Sequence, residues 1–234
     1  MLGFIRDEPM EYNDIISRFE ALENPETVKG LASYGIIEEK IYGIPIPTLR
    51  SLAREAGKSN HELALRLWEH GSREARILAA MIDNYREVTE AQAETWVRDF
   101  SSWEVCDQCI LNLFKKTPFA WDKAVEWSSR NEEFVKRAGF ALMEILAVND
   151  KKAGDSQFEQ FFPIIAREAT DERNFVKKAV NWALRQIGKR NRHLNKKALK
   201  TAYSIHEIDS KSARWIARDA IRELESEAVR KRLT

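Results

Sequence analysis

Three similar segments in the second half of the chain constrain its fold more than any other feature. They read Val135-Lys-Arg-Ala138, Val176-Lys-Lys-Ala179 and Ala217-Arg-Asp-Ala220, and their first residues, at positions 135, 176 and 217, are spaced 41 residues apart. Each segment continues into a run whose apolar residues recur at helical spacing. A short helical unit cannot bury its apolar face alone, so such copies must stack on one another.

The other long segments also show helical patterns, and no stretch alternates polar and apolar residues long enough to predict a strand. The nine glycines and six prolines fall mostly between these segments. A helical period near 41 residues is typical of HEAT and armadillo repeats. We therefore predict an all-α fold, a curved HEAT-like or armadillo-like helical repeat solenoid. We expect residues 1–234 to form one domain without an internal linker, with 74–80 as a degenerate copy in the less regular first half.

The stretch from Trp103 to Cys109 combines an aromatic, a carboxylate and two cysteines. Ser101 and Glu104 have the spacing of a capping box, which places Trp103 in the first turn of a helix. Asp107 follows one turn later, at the edge of an apolar stripe formed by Cys106, Cys109, Ile110, Leu113 and Phe114. Two interpretations remain: a preorganised site, or a partly buried tryptophan with a structural carboxylate near a helix start.

The two cysteines, Cys106 and Cys109, have C-x-x-C spacing. A zinc site would need further ligands that no second cysteine pair supplies, and a redox motif would place its first cysteine at a helix N-terminus. Both lie instead on the apolar stripe, so we predict buried packing, no metal site and no cofactor. Because only two cysteines and no long apolar segment or signal peptide are present, we expect a cytoplasmic protein that does not contact a membrane.

Net charge is only +1, but its distribution along the chain is uneven. Residues 173–200 contain many lysines and arginines and no acidic residue, which is a pattern typical of a polyanion partner. Trp182 lies on the flank of its helix between Lys178 and Arg185, an arrangement that suits nucleic acid. The alternative is an inter-helix packing tryptophan surrounded by solvated lysines.

Arg137 occupies in the preceding repeat the position of Lys178. It is a second candidate anion contact, and the alternative is a salt bridge with Glu133 or Glu144. The remaining tryptophans are predicted to pack in the core or at its rim: Trp68, Trp96, Trp121, Trp127 and Trp215. The residues predicted to bind nucleic acid are Arg137, Lys177, Lys178, Arg185, Lys189 and Arg190.

Four motifs, taken in order along nearly the whole chain, resemble the AlkD family of DNA glycosylases. They are Tyr42-Gly-Ile-Pro-Ile-Pro-Thr-Leu-Arg50, Ser-Trp-Glu-Val-Cys-Asp at 102–107, Val-Lys-Arg-Ala at 135–138 and the run from Phe175 to Arg185. The resemblance implies that Asp107 is the catalytic aspartate, Trp103 and Trp182 are the two site tryptophans, and Arg137 contacts the DNA backbone. Ser102 departs from the pattern of one family member, which has a second aromatic at this position.

The resemblance also implies the reaction, which is hydrolysis of the N-glycosidic bond of cationic N3- or N7-alkylated purines in duplex DNA, without base flipping. Such a base is already a good leaving group, so a fixed carboxylate near the developing oxocarbenium ion and electron-rich indoles would suffice. We expect a monomer that associates with DNA of the nucleoid. Two alternatives stay open because fold does not secure activity: a non-catalytic HEAT-like DNA-binding protein, and a protein-interaction scaffold.

Overall fold

The computed structural model describes residues 10–233, which fold entirely into helices and connecting loops, with no strand in that range. Residues 1–9 and Thr234, which the predicted domain bounds include, lie outside the described residues. The predicted all-α class is confirmed. A 3-10 turn, Phe114–Lys116, lies between α7 and α8. The helices are α1 Tyr12–Ala21, α2 Pro25–Ser33, α3 Ile46–Ala56, α4 His61–His70, α5 Arg73–Ile82, α6 Glu90–Arg98, α7 Trp103–Asn112, α8 Ala120–Ser128, α9 Glu133–Asn149, α10 Asp155–Glu159, α11 Phe161–Glu168, α12 Asn174–Gly188, α13 Arg192–His206, α14 Lys211–Leu224 and α15 Glu227–Arg232.

The helices form two compact units, with the boundary between Thr117 and Pro118. The first unit contains α1 to α7, and the second contains α8 to α15. No helix within residues 10–233 is both long and apolar enough to span a membrane.

A buried ionic network organises the first unit. Arg73 and Glu74 are 1% and 0% exposed, and the Glu74 carboxylate accepts hydrogen bonds from the backbone N–H groups of Tyr42, Gly43 and Ile44 at 2.9–3.2 Å. These residues open the Tyr-Gly-Ile-Pro motif, so that segment is held against the start of α5 by one carboxylate. Such a charge is tolerated in a core because it is paired and fully hydrogen-bonded.

Arg73 extends this network to α7. Its Nη1 donates to Glu74 at 2.8 Å and to the carbonyl of Ile44 at 3.0 Å, while its Nε donates to Glu104 at 2.7 Å. Burial alone would lower the pKa of Arg73, but the hydrogen bond and charge of Glu104, together with Glu74, raise it above its ordinary value. Glu104, at the start of α7, is therefore tied to α5.

The 41-residue repeat corresponds to three helices of the second unit. α12 packs against both α9 and α14. Hydrogen bonds join neighbouring copies at a constant offset of 38 residues, from Arg137 to the carbonyl of Phe175 and from Asn181 to Asp219. The predicted stacking of these three segments is thus observed, with each copy bonded to the next.

Gly139 sets the close approach of α9 to α8. A Cβ atom at this position would lie 2.4 Å from the backbone nitrogen of Ser128 and 2.8 Å from its Cα. Only glycine permits this contact, since the obstructing atoms belong to backbone and cannot rotate away. α9 is accordingly buried on nearly all sides, and its buried residues include the charged Lys136, Arg137 and Glu144.

The helix pattern of the sequence missed one break and one short helix. The pattern over 157–169 predicts one helix, but α10 ends at Glu159 and α11 starts at Phe161. Pro163 explains the break, because it has no N–H to donate to the carbonyl of Glu159. The sequence also gave no indication of α15, a short helix capped by the Ser226 side chain.

Candidate functional site

α7 begins at Trp103, as the sequence predicts, but its cap differs from the prediction. The Ser102 side chain, not that of Ser101, accepts from the backbone N–H of Val105, at 3.5 Å. The predicted capping box is wrong because Glu104 is bound to the buried Arg73 instead. Ser102 is fully buried, so the serine that departs from the family pattern has a structural role here.

The loop after α2 covers the start of α7. Both Ser101 and Ser102 donate hydroxyl hydrogen bonds to the two carboxylate oxygens of Glu38. The Trp103 indole N–H donates to the carbonyl of Tyr34 at 3.0 Å. The Tyr34 side chain is 71% exposed, and sequence reasoning missed it entirely. The Trp103 indole is therefore oriented by a fixed backbone acceptor.

Asp107 lies one turn beyond Trp103 and is half-buried, at the border of the predicted stripe. The stripe residues are all buried: Cys106, Cys109, Ile110, Leu113 and Phe114. Both cysteines are free thiols, and burial raises the pKa of Cys109 well above its ordinary value. The predicted buried packing of the cysteine pair is confirmed.

In the second unit, four of the predicted residues line one open cleft of about 360 Å³. They are Arg137, Lys178, Trp182 and Arg185, and the cleft is completed by Asn181, Trp215 and Asp219. Positions 137, 178 and 219 are spaced 41 residues apart, so one position of the repeat supplies an arginine, a lysine and an aspartate to the same cleft. Asp219 occupies in the third copy the position of Arg137 and Lys178, so carrying that correspondence on to the third copy would have identified it.

Arg137 is 6% exposed, and its Nη1 donates to the carbonyl of Phe175 at 2.7 Å. The guanidinium therefore lies in the wall of the cleft rather than above the protein surface. Lys178, its equivalent in the next repeat, is exposed. The cleft thus offers an anion the exposed ammonium of Lys178 and the guanidinium of Arg137, which is held by a backbone carbonyl.

Acidic residues outside the basic run balance part of its charge. Glu223 pairs with Arg185 and Lys189, and Asp171 pairs with Arg173. Burial alone would raise the pKa of Glu223, but the hydrogen bonds from Lys189 and Arg185 hold it below its ordinary value. The net positive charge around residues 173–200 is therefore smaller in the folded protein than the sequence of this run suggests.

Lys189 and Arg190 line a different cleft of about 480 Å³, together with Glu144, Lys151 and Arg232. Arg190 donates to the carbonyl of Ala147 near the end of α9 and to that of Ala153 in the loop before α10, and its guanidinium lies 4.0 Å from the centroid of the Phe158 ring. Through these hydrogen bonds Arg190 connects the end of α9 with the loop that follows it. Lys177, the remaining predicted DNA-binding residue, lies with its Nζ 5.2 Å from the centroid of Trp215.

Trp215 differs from its predicted packing role. It is 41% exposed, whereas Trp68, Trp96 and Trp127 are buried as predicted. The buried apolar residues of α14, Ala213, Ile216, Ala217, Ala220 and Leu224, lie on the opposite face of the helix, so their spacing in the sequence indicates that Trp215 is exposed. Among residues 10–233, no group of three or more His, Cys, Asp or Glu side chains is placed to hold a metal ion.

Comparison with known proteins assigns the family. The model of the DNA alkylation repair enzyme family matches residues 15–224. The chain belongs to the DNA alkylation repair enzyme family. The chain is also similar to the uncharacterized proteins Lmo0209 of Listeria monocytogenes, at 23% identity, and Lin0241 of Listeria innocua, at 24% identity. Each alignment spans 201 residues and covers 84% of this chain and 87% of the relative.

A solved structure shares the fold of this family member. It superposes with a TM-score of 0.79 and 21% identity and covers 96% of both chains. That protein is described as belonging to a new family of proteins related to the HEAT-like repeat DNA glycosylases, with affinity for branched DNA structures. The likeness confirms the predicted HEAT-like fold class.

Proposed function

We propose that the protein is a monofunctional DNA glycosylase that hydrolyses the N-glycosidic bond of cationic N3- and N7-alkylated purines in duplex DNA, without flipping the base. The observation that supports this most strongly is the pair Trp103 and Asp107, one helical turn apart at the border of the α7 stripe, in a member of the DNA alkylation repair enzyme family. The other support is the cleft that holds Trp182 with three basic residues.

The proposed chemistry needs few groups. A cationic alkylpurine leaves without protonation by a general acid, so the barrier lies in forming the oxocarbenium-like sugar. In the proposal the Asp107 carboxylate stabilises that cation and aligns the attacking water. In the proposal the electron-rich face of Trp103, one helical turn from Asp107, attracts the positively charged nucleotide. No metal ion or cofactor takes part in this scheme.

DNA would be held through its phosphates, which position a duplex without reading its sequence. Lys177 and Lys178 are the first candidates, since Lys178 is exposed and Lys177 lies beside an exposed indole. The proposal also includes Arg137, Arg185, Lys189 and Arg190. Each of them makes a hydrogen bond within the protein, which it would keep or exchange for a phosphate contact when DNA binds. We further propose a cytoplasmic monomer that associates with the nucleoid.

The test is release of free base from duplex DNA that contains 7-methylguanine, compared with the spontaneous rate. Asp107→Asn is expected to abolish release while duplex affinity, measured by fluorescence anisotropy, stays within about twofold of wild type. Asp122→Asn, an exposed carboxylate on α8, is the matched control and should release base at the wild-type rate. Release by Asp107→Asn at the wild-type rate would refute the assigned role of the carboxylate.

A second candidate function is a DNA-binding protein without catalysis. The description of the structural neighbour, which concerns affinity for branched DNA, favours it. This candidate predicts tight duplex or junction binding with no base released by wild type above the spontaneous rate. Failure to bind any DNA at moderate salt would contradict both candidates and leave a protein-interaction scaffold.

A further inference from the structure

The cleft on the second unit contains two indoles on neighbouring helices, Trp182 on α12 and Trp215 on α14. Trp215 is 41% exposed and Trp182 is half-buried. An open cleft of about 360 Å³ falls in the range of ~300–1,000 Å³ typical of small-molecule sites. Exposed indole faces are the surfaces on which proteins stack unpaired bases.

Asn181 places a polar group in the wall of this cleft. It is 1% exposed, and its amide Nδ2 donates to the Asp219 carboxylate at 2.7 Å. That bond fixes the orientation of the amide, because the carboxylate can only accept. The other amide atom, Oδ1, is buried without a hydrogen-bond partner. A buried acceptor left unpaired is costly, and a ligand N–H donor that reached it would remove the cost.

Asp219 also lies next to two guanidiniums. Arg222 donates to its Oδ1, and the Nε of Arg185 lies 3.6 Å from Oδ2, the oxygen that accepts from Asn181. The carboxylate is thus committed to orienting Asn181 and balancing these guanidiniums. Asn181, a residue of the cleft wall, therefore keeps in Oδ1 a buried acceptor without a hydrogen-bond partner.

Two lysines place positive charge at the indoles. Lys177 Nζ lies over one face of the Trp215 ring, 5.2 Å from its centroid, which leaves the opposite face for a base, and Lys178 is an exposed member of the cleft wall. An ammonium next to a stacking surface is the combination that binds a nucleotide, with the base on the ring and the phosphate on the cation.

We propose that this cleft binds an unpaired nucleobase, stacked on Trp215 and donating an N–H hydrogen bond to Asn181 Oδ1. A base within an intact duplex has both faces stacked and its Watson–Crick donors occupied, so only an extrahelical or single-stranded nucleotide fits. The cleft thereby directs the protein to DNA with a bulge or a single-stranded branch. This inference rests on the DNA binding of the proposed function but not on its catalysis.

The experiment compares three duplexes of one sequence by fluorescence anisotropy: fully paired, with a single bulged adenine, and with a bulged abasic analogue that keeps the backbone but lacks the base. Wild type is expected to bind the adenine bulge about tenfold more tightly than either of the others, the size expected for one stacked base. With 2-aminopurine in the bulge, binding should quench its fluorescence, as stacking on an indole does.

Trp215→Ala should remove this tenfold preference and the quenching, and Trp215→Phe should restore part of both. Tyr203→Ala is the matched control, since Tyr203 is a 50% exposed aromatic on α13 that does not line the cleft. Equal affinity of wild type for the adenine and abasic bulges would overturn the proposal, as would a Trp215→Ala variant that keeps the preference.

Base release from 7-methylguanine duplex separates the two proposals. A protein that excises 7-methylguanine but shows no preference for the adenine bulge refutes only the nucleobase cleft. A protein that shows the preference without excision supports the cleft and refutes the glycosylase. Absence of binding to all three duplexes refutes both.

Discussion

Replacement of Glu74 by glutamine tests whether the buried ionic network supports α7. The Glu74 Oε1 atom accepts from Gly43, Ile44 and Arg73, and its Oε2 accepts from Tyr42. Glutamine keeps the shape but supplies one oxygen, so its NH₂ group must face at least one of these donors. Arg73, which is 1% exposed, would keep only Glu104 as a charged partner. Breaking a buried pair in this way costs about 3–5 kcal/mol.

The measurement is urea unfolding combined with amide hydrogen exchange. A loss of this size is a large fraction of the ~5–15 kcal/mol that stabilises a typical protein, so the unfolding midpoint should fall clearly. Exchange should accelerate in the 40–45 segment and at the start of α7, and it should stay slow in α9 and α12 of the other unit. Glu26→Gln is the matched control, because the Glu26–Lys29 pair of the same unit is exposed and worth less than about 1 kcal/mol.

A small effect would refute this reasoning. If Glu74→Gln shifted the midpoint no more than Glu26→Gln, the carboxylate would be replaceable by any acceptor of its shape. The charge on Arg73 would then be balanced by Glu104 alone. In that case the connection between α5 and α7 would not depend on Glu74.

Three further predictions concern packing, pH and salt. Gly139→Ala should destabilise the second unit by at least ~2 kcal/mol in urea unfolding, because its Cβ would overlap the Ser128 backbone; an unchanged midpoint would contradict this. Burial, and to a lesser degree the charge of Lys40, lowers the pKa of His70 below its ordinary value of 6.5. The stability that neutral His70 contributes is therefore fully present above pH 6.5 and is lost as the pH falls through the pKa of the folded state. His70→Asn should therefore show a smaller decrease in Tm than wild type between about pH 7 and pH 5. Lys178→Ala should make the slope of log affinity against log salt shallower by about one, as measured by a salt titration on two unrelated duplexes. Arg190→Ala should change this slope less and should lower Tm, because Arg190 donates to a backbone carbonyl of the protein.

The sequence alone was sufficient for the fold class. The 41-residue spacing of Val135, Val176 and Ala217 predicted three stacked helices, and α9, α12 and α14 pack in that order. Periodicity carries this information because a helix must bury its apolar stripe. When successive copies have the same stripe, each helix buries it by packing against the helix of the next copy. The apolar stripe beside Asp107 and the burial of the cysteines followed from the same reasoning.

Pairings between distant residues could not be read from the sequence. Glu104 had the spacing of a capping residue, yet it binds Arg73, because a buried guanidinium requires a carboxylate and local spacing does not show which side chains become buried. The basic run over 173–200 contains no acidic residue, yet Glu223 reaches Arg185 and Lys189 from α14.

Local pattern determined the helices of this protein and the faces they bury. Tertiary structure decided which polar groups meet. Trp215 and Asn181 share a cleft because α12 and α14 lie side by side, and Trp103 is oriented by a carbonyl 69 residues earlier in the chain. The physical reason is that apolar burial is non-directional and repeats with the helix period, whereas a hydrogen bond or ion pair depends on the positions of two particular atoms.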